Sequence, residues 1–299
     1  MDKKGTAVAL GTFDGLHIGH KAVLSAALKF TDCDAVAVTF GEPPKRHTSG
    51  EFVPMLMTAE EKNRALREMG FSAVDVLDYD KVRDIPARDF LDMLFEKYDI
   101  KAVTCGFNYR FGAGGSGDAA LLTAYCHEHK AEAVVCPAST VSGQTVSSTL
   151  IRELISDGKI PFANTLLGRR FSISGKVIHG DARGRTIGFP TVNQLLDPEI
   201  VTPLFGVYAT AVTVGGRMYP AVTNIGIRPT FLLKKPMSET NIIGFEGDLY
   251  GDDIRVELLS FLRPETRFDG IDQLKAAIAN DAEAAKAAFA AVIDTQKKN

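Results

Sequence analysis

Thr6-Ala7-Val8-Ala9-Leu10-Gly11-Thr12-Phe13-Asp14-Gly15-Leu16-His17-Ile18-Gly19-His20 is the stretch from which the fold can be read. Residues 6–10 are a β-type run, a glycine-bearing turn follows, and residues 21–30 read as a helix. A strand, a turn and a helix N-terminus in succession make a place for an anion, because the unsatisfied N–H groups of the first helical turn and the helix dipole point at the turn. His17 and His20 flank Gly19 and add hydrogen-bond donors for phosphate oxygens, while Gly19 admits a close backbone approach. Either histidine alone would read as an ordinary surface or core residue, but the pair at a strand end shifts that balance.

Outward from this stretch, β-type runs at 35–40, 74–77, 102–105 and 133–136 alternate with helix-type runs. Thr58-Ala59-Glu60-Glu61 has capping-box spacing before a helix ending near Gly70, and Pro86 stands where a helix reaching Tyr98 begins. Strands alternating with helices predict a Rossmann-like α/β domain with a parallel sheet. After Asp157-Gly158-Lys159 the texture changes. Short β-rich runs at 171–179, 207–214, 218–224 and 254–262 predict a small antiparallel β-barrel or sandwich, and an Ala-, Lys- and Glu-rich run at 271–293 predicts a terminal helix. A chain of 299 residues with 45% hydrophobic content has room for two cores, here placed at 1–160 and 161–299.

A net charge of −3 without basic clusters argues against nucleic acid as a partner. Cys33, Cys105, Cys126 and Cys136 have no paired spacing and read as small buried hydrophobes. No apolar run could cross a bilayer and no signal peptide is evident, so a cytoplasmic location is expected, without membrane or obligate protein partner.

Three further motifs carry chemistry. Ser147-Ser148-Thr149-Leu150-Ile151-Arg152 puts hydroxyls where they would cap a helix, with an arginine in its first turn. Gly106-Phe107-Asn108-Tyr109-Arg110-Phe111-Gly112 follows the fourth strand, at the sheet edge where open α/β folds bind ligands; Phe107 and Phe111 taken singly read as core. Gly112-Ala113-Gly114-Gly115-Ser116-Gly117 satisfies G-x-G-x-x-G but is displaced from the strand end and has no acidic ribose partner, so a mobile loop is expected in preference to a dinucleotide fingerprint. H-x-G-H after the first strand and S-S-T-x-I-R resemble the nucleotidylyltransferase superfamily, and the resemblance implies ATP contacts for His17, His20, Arg152, Gly11, Phe13, Asp14, Gly15, Gly19, Ser147, Ser148 and Thr149, with Asn108 and Arg110 at the flavin or nucleotide.

In the second half, Gly175-Lys176-Val177-Ile178-His179-Gly180-Asp181-Ala182-Arg183-Gly184-Arg185-Thr186-Ile187-Gly188-Phe189-Pro190-Thr191-Val192-Asn193 is a glycine- and arginine-rich loop suited to phosphates. Thr191 and Asn193 alternate on an extended segment, so their oxygens share a face and could hold magnesium. The run resembles the flavokinase barrel, and with the first half the chain is similar to bifunctional riboflavin kinase/FAD synthetases. That resemblance implies ATP contacts for Gly175, Gly180, Gly184, Arg185, Gly188 and Pro190, with Glu239 as catalytic base. It implies substrates riboflavin, ATP and FMN, with FAD as the product and Mg2+ as the ion. Relatives commonly carry histidine and aspartate where this chain has Asn241 and Gly244, and a proline in place of Glu42. Two rival readings are a monofunctional FAD synthetase whose kinase half is impaired and a flavin-binding regulatory protein.

Overall fold

The alternation of strand and helix runs builds a parallel sheet. In the computed structural model, which describes residues 5–48, 50–179, 189–227 and 235–298, β1 (Thr6–Leu10), β2 (Asp34–Phe40), β3 (Ala73–Leu77), β4 (Ile100–Gly106) and β5 (Glu132–Cys136) pair in the order β3-β2-β1-β4-β5. Helices α1 (Ile18–Leu28), α2 (Lys45–Thr48), α3 (Ala59–Glu68), α4 (Tyr79–Val82), α5 (Ala87–Lys97) and α6 (Ala119–Glu128) connect them. Successive strand residues point to opposite faces, so Val8, Leu10, Val36 and Val38 pack with Phe90, Leu91 and Leu94 of α5 and Leu122 of α6. Ala9, Ala35 and Ala37 pack instead with Leu24 of α1 and Leu66 of α3. Each large side chain so buried contributes roughly 2 kcal/mol of transfer free energy.

The chain first builds outward from β1 to β2 and β3, then crosses back to place β4 on the other side of β1. That reversal opens a crevice beyond the C-terminal ends of β1 and β4, the place where open α/β sheets receive ligands. Both predicted N-terminal segments, the turn after Leu10 and the run after Gly106, lie at this edge.

Two expectations need correcting here. Helix α1 starts at Ile18 and not Lys21, because the His17 side chain caps it by accepting from the His20 N–H. Phe107, expected as core, is 49% exposed, whereas Phe111 is buried against Phe90. The 112–117 glycine run is a closed turn: Phe111 and Gly117 exchange backbone hydrogen bonds of 3.2 and 2.9 Å, and a Cβ on Gly112 would lie 2.5 Å from the Ala87 Cα. Gly112 and Gly117 are needed for packing, against Ala87 and Phe111, while Gly114 and Gly115 take left-handed backbone conformations. All four cysteines are buried free thiols, as expected.

The remaining first-half elements are a tight hairpin of β6 (Thr140–Val141) and β7 (Gln144–Thr145). They are followed by α7 (Ser148–Ser156) and by α8 (Ile160–Leu167), which the sequence reading did not anticipate. Pro161 at the start of α8, Gly168 at its left-handed C-cap and buried Ile160, Ala163, Leu166 and Leu167 were the available signals. By internal contacts the chain divides into two units, Met1–Leu150 and Ile151–Asn299.

In the second unit β8 (Ser172–Lys176), β9 (Val192–Leu195), β10 (Gly206–Val214), β11 (Arg217–Ile227), β12 (Pro236–Ile242) and β13 (Asp253–Arg263) form an antiparallel sheet in the order β8-β13-β10-β11-β12-β9. Its two edges meet, since the Ile178 N–H donates to the Asn193 carbonyl at 2.8 Å and the Gln194 Nε2 to the Gly175 carbonyl at 2.7 Å. The sheet therefore curls into a near-closed barrel, which removes exposed edges. Thr210, Thr223 and Thr240, all buried, satisfy one another through a chain of two 2.9 Å hydroxyl contacts. The terminal helix α9 (Ile271–Lys298) seats Ala285 on Ala209, Ala211 and Leu259 of the barrel wall, and Arg263 grips Asp281.

Candidate active sites

In the first unit the turn after β1 is held by its surroundings. Phe13 and Leu16 take left-handed backbone conformations, φ 52° and 47°, which non-glycine residues adopt only where neighbours impose them. The Thr12 carbonyl accepts from the Thr39 hydroxyl at 2.8 Å and from the Lys62 ammonium at 3.2 Å. Asp14, 4% exposed, accepts the Leu56 N–H at 2.9 Å, and its own carbonyl receives the Ser148 hydroxyl at 3.0 Å. The preformed turn ends at the α1 N-terminus, where an anion meets N–H groups with little reorganisation.

His17 and His20 stack with centroids 3.5 Å apart and planes 16° from parallel, and the His20 N–H donates to the His17 Nδ1. A Cβ on Gly19 would stand 3.2 Å from the His17 ring, so glycine gives that ring its room. Burial, then the neighbouring charges of His17 and Lys62, hold His20 well below the ordinary histidine value of 6.5. The His20 ring is therefore a neutral hydrogen-bonding group at neutral pH.

Ser147, Ser148 and Thr149 start α7 as expected: Ser147 Oγ accepts the Leu150 N–H at 3.2 Å, Ser148 ties to the turn, and Thr149 is exposed. Arg152 is the fifth residue of that helix, one position beyond its first turn. Asn108 and Arg110 are exposed beyond β4, with Arg110 3.7 Å from Asp118. Gly11 and Gly15 lie in the same turn as Phe13 and Asp14. Glu42 binds Arg46 at 2.9 Å and His47 at 3.0 Å. Lys62 and Thr39 were not singled out from sequence; a lysine on an amphipathic helix reads as solvated until its burial is seen.

In the second unit Glu239 of β12 pairs directly with Asn193 of β9 and with Asn224 of β11. Residues directly opposite across an antiparallel ladder share a face, so these three side chains form a row over three strands, with Asn193 4% exposed. The opposite face of the same strands, through Val192 and Thr240, lines an open cleft together with Pro190, Thr191, Phe245 and Tyr250. Thr191 lines this cleft, and Asn193, two residues on along the extended segment, offers its backbone carbonyl to Ile178 at the barrel seam. Asn241 Nδ2 donates to the Pro190 carbonyl at 2.7 Å, pinning the loop end to β12, and Gly244 occupies a left-handed turn position, φ 76°. Gly175 lies inside β8, its carbonyl taken by Gln194. Gly180, Gly184, Arg185 and Gly188 lie outside the described residues.

Among the described residues no three His, Cys, Asp or Glu side chains gather as a metal site. Neutral oxygens such as those of Thr191 and Asn193 suit magnesium, which takes few protein ligands and completes its shell with substrate phosphates and water. No helix among the described residues is long and apolar enough to cross a membrane.

The fold and its two sites define a nucleotidylyltransferase-type α/β unit joined to a flavokinase-type barrel. Residues 1–150 match the FAD synthetase family and residues 167–289 the riboflavin kinase family. The bifunctional riboflavin kinase/FMN adenylyltransferase of Escherichia coli (strain K12) is 35% identical over 294 residues, covering 96% of this chain and 94% of its own length. That of Bacillus subtilis (strain 168) is 32% identical, covering 94% and 91%. A solved structure from Streptococcus pneumoniae, described as a macrolide-efflux protein, superposes with a TM-score of 0.85 at 32% identity, covering 94% of this chain and 93% of that one. The chain belongs to the bifunctional riboflavin kinase/FMN adenylyltransferase family.

Proposed function

We propose that this chain makes FAD from riboflavin in two ATP-dependent steps in the cytoplasm, the second in residues 1–160 and the first in residues 161–299. In the kinase step the ribityl 5′-hydroxyl oxygen attacks the γ-phosphorus of ATP, the bond to the bridging oxygen breaks, and ADP leaves. Glu239 takes the hydroxyl proton as general base. Thr191 and Asn193 would hold a magnesium ion, which supplies charge neutralisation at the phosphates. Gly175, Gly180, Gly184, Arg185, Gly188 and Pro190 contact the nucleotide.

In the second step an FMN phosphate oxygen attacks the α-phosphorus of a second ATP, the Pα–O bond to the β-phosphate breaks, and pyrophosphate leaves. No protein nucleophile is needed; orientation and charge stabilisation suffice. His17, His20 and the α1 N-terminus hold phosphate oxygens, Ser147, Ser148, Thr149 and Arg152 steady the leaving group, and Asn108 and Arg110 position nucleotide or flavin.

The observation that carries this reading is the row Asn193–Glu239 at the barrel seam, in a chain whose other unit stacks His17 on His20 at a helix N-terminus. The test is a time course with riboflavin, ATP and magnesium, resolving riboflavin, FMN and FAD. FMN followed by FAD is expected. FAD only from supplied FMN would mean a silent kinase half, and flavin binding without product would favour a regulatory protein.

A further inference from the structure

Lys62, on α3, is 3% exposed, an unusual state for a lysine. Its ammonium meets three oxygens: the carbonyls of Thr12 and Phe40 and the Thr39 hydroxyl. Three N–H donors thus match three acceptors, which lets a charge persist out of water. Two of these acceptors belong to the end of β2 and the third to the turn that carries the left-handed Phe13. The Lys62 charge also acts on His20.

We propose that Lys62 is a positioning residue for adenylyl transfer, clamping the 11–17 turn to the end of β2 and placing a fixed positive charge next to the His17–His20 stack. This rests on the adenylyl-transfer reading above. The turn aims the α1 N-terminus and both rings at the triphosphate, so a small displacement there costs transition-state stabilisation. A lysine that merely filled space would be replaceable by methionine; one that clamps through charge and donors would be replaceable only by another cation.

A pH signature accompanies the clamp. Burial pulls the Lys62 ammonium down to about 8, against the upward pull of Asp14. Asp14 on the turn and His20 on α1 are the titratable groups acting with it, and His20, held well below 6.5, does not change charge above neutrality. Below its value Lys62 is charged and grips all three oxygens; as pH rises through about 8 the neutral amine, with two N–H donors, releases one.

Lys62→Met and Lys62→Arg in the full chain, compared with the parent, test the proposal. Lys62→Met is expected to lower kcat for FAD formation from FMN about a hundredfold, with riboflavin phosphorylation by the same protein unchanged. Lys62→Arg is expected to recover much of that loss and to shift the alkaline fall in kcat upward. An active parent with an equally active Lys62→Met, or an arginine variant no better than methionine, overturns the proposal. A parent that makes no FAD from FMN overturns the adenylyl-transfer reading, and this inference with it.

Discussion

His17 and His20 lie ring on ring, 3.5 Å between centroids, with the His20 backbone N–H donated to the His17 Nδ1. The contact fixes the tautomer of His17, placing its proton on Nε2, and two rings so close cannot both be cationic without strong repulsion. Under the adenylyl-transfer reading the pair would offer ring N–H donors to phosphates, and the nearby positive charge comes from Lys62.

His20→Ala should lower FAD formation about a hundredfold, as loss of a transition-state donor does, while FMN formation from riboflavin is unchanged. Equal loss of both activities would defeat the assignment of separate sites.

Acid should weaken the first unit. His20 in the folded chain lies well below 6.5, so its neutral state is matched in the unfolded chain only above that value. As pH falls beneath it the unfolded chain takes up a proton that the folded one refuses, costing up to about 1.4 kcal/mol per pH unit. Thermal unfolding between pH 7.5 and 5 should show a steeper decline for the parent than for His20→Asn.

Glu239→Gln should lower riboflavin phosphorylation by about two to four orders of magnitude, the usual contribution of a general base. FAD formation from supplied FMN should persist. Retained phosphorylation would place the base elsewhere.

Asp281, 7% exposed, accepts Arg263 through both carboxylate oxygens, at 2.8 to 3.2 Å. Asp281→Ala leaves the partly buried guanidinium only the Pro264 carbonyl and the Phe268 ring and should destabilise the second unit by about 1–3 kcal/mol. Denaturant unfolding followed in that unit, with FAD formation from FMN as a control, measures it.

Much of this is legible in the amino-acid sequence. The β-type runs at 6–10, 35–40 and 102–105 lie within or match β1, β2 and β4, because strand formation here follows short local runs of apolar residues. Thr58 forms its capping box, since a cap depends on residues three apart. Phe107 was read less well: whether an aromatic is covered depends on segments distant in the chain, as does the need for glycine at 112 beside Ala87.

From sequence alone came the two-part order, the parallel sheet, the barrel and the motif residues His17, His20, Ser147, Arg152, Thr191, Asn193 and Glu239, because each depends on residue type at short spacing. Tertiary structure alone decided that Asn193 faces Glu239 across a seam closed by Ile178, that His17 stacks on His20, and that Lys62 is buried beneath the turn. Those are distances between segments up to about 50 residues apart, set by how packed elements meet in three dimensions and not by any local pattern.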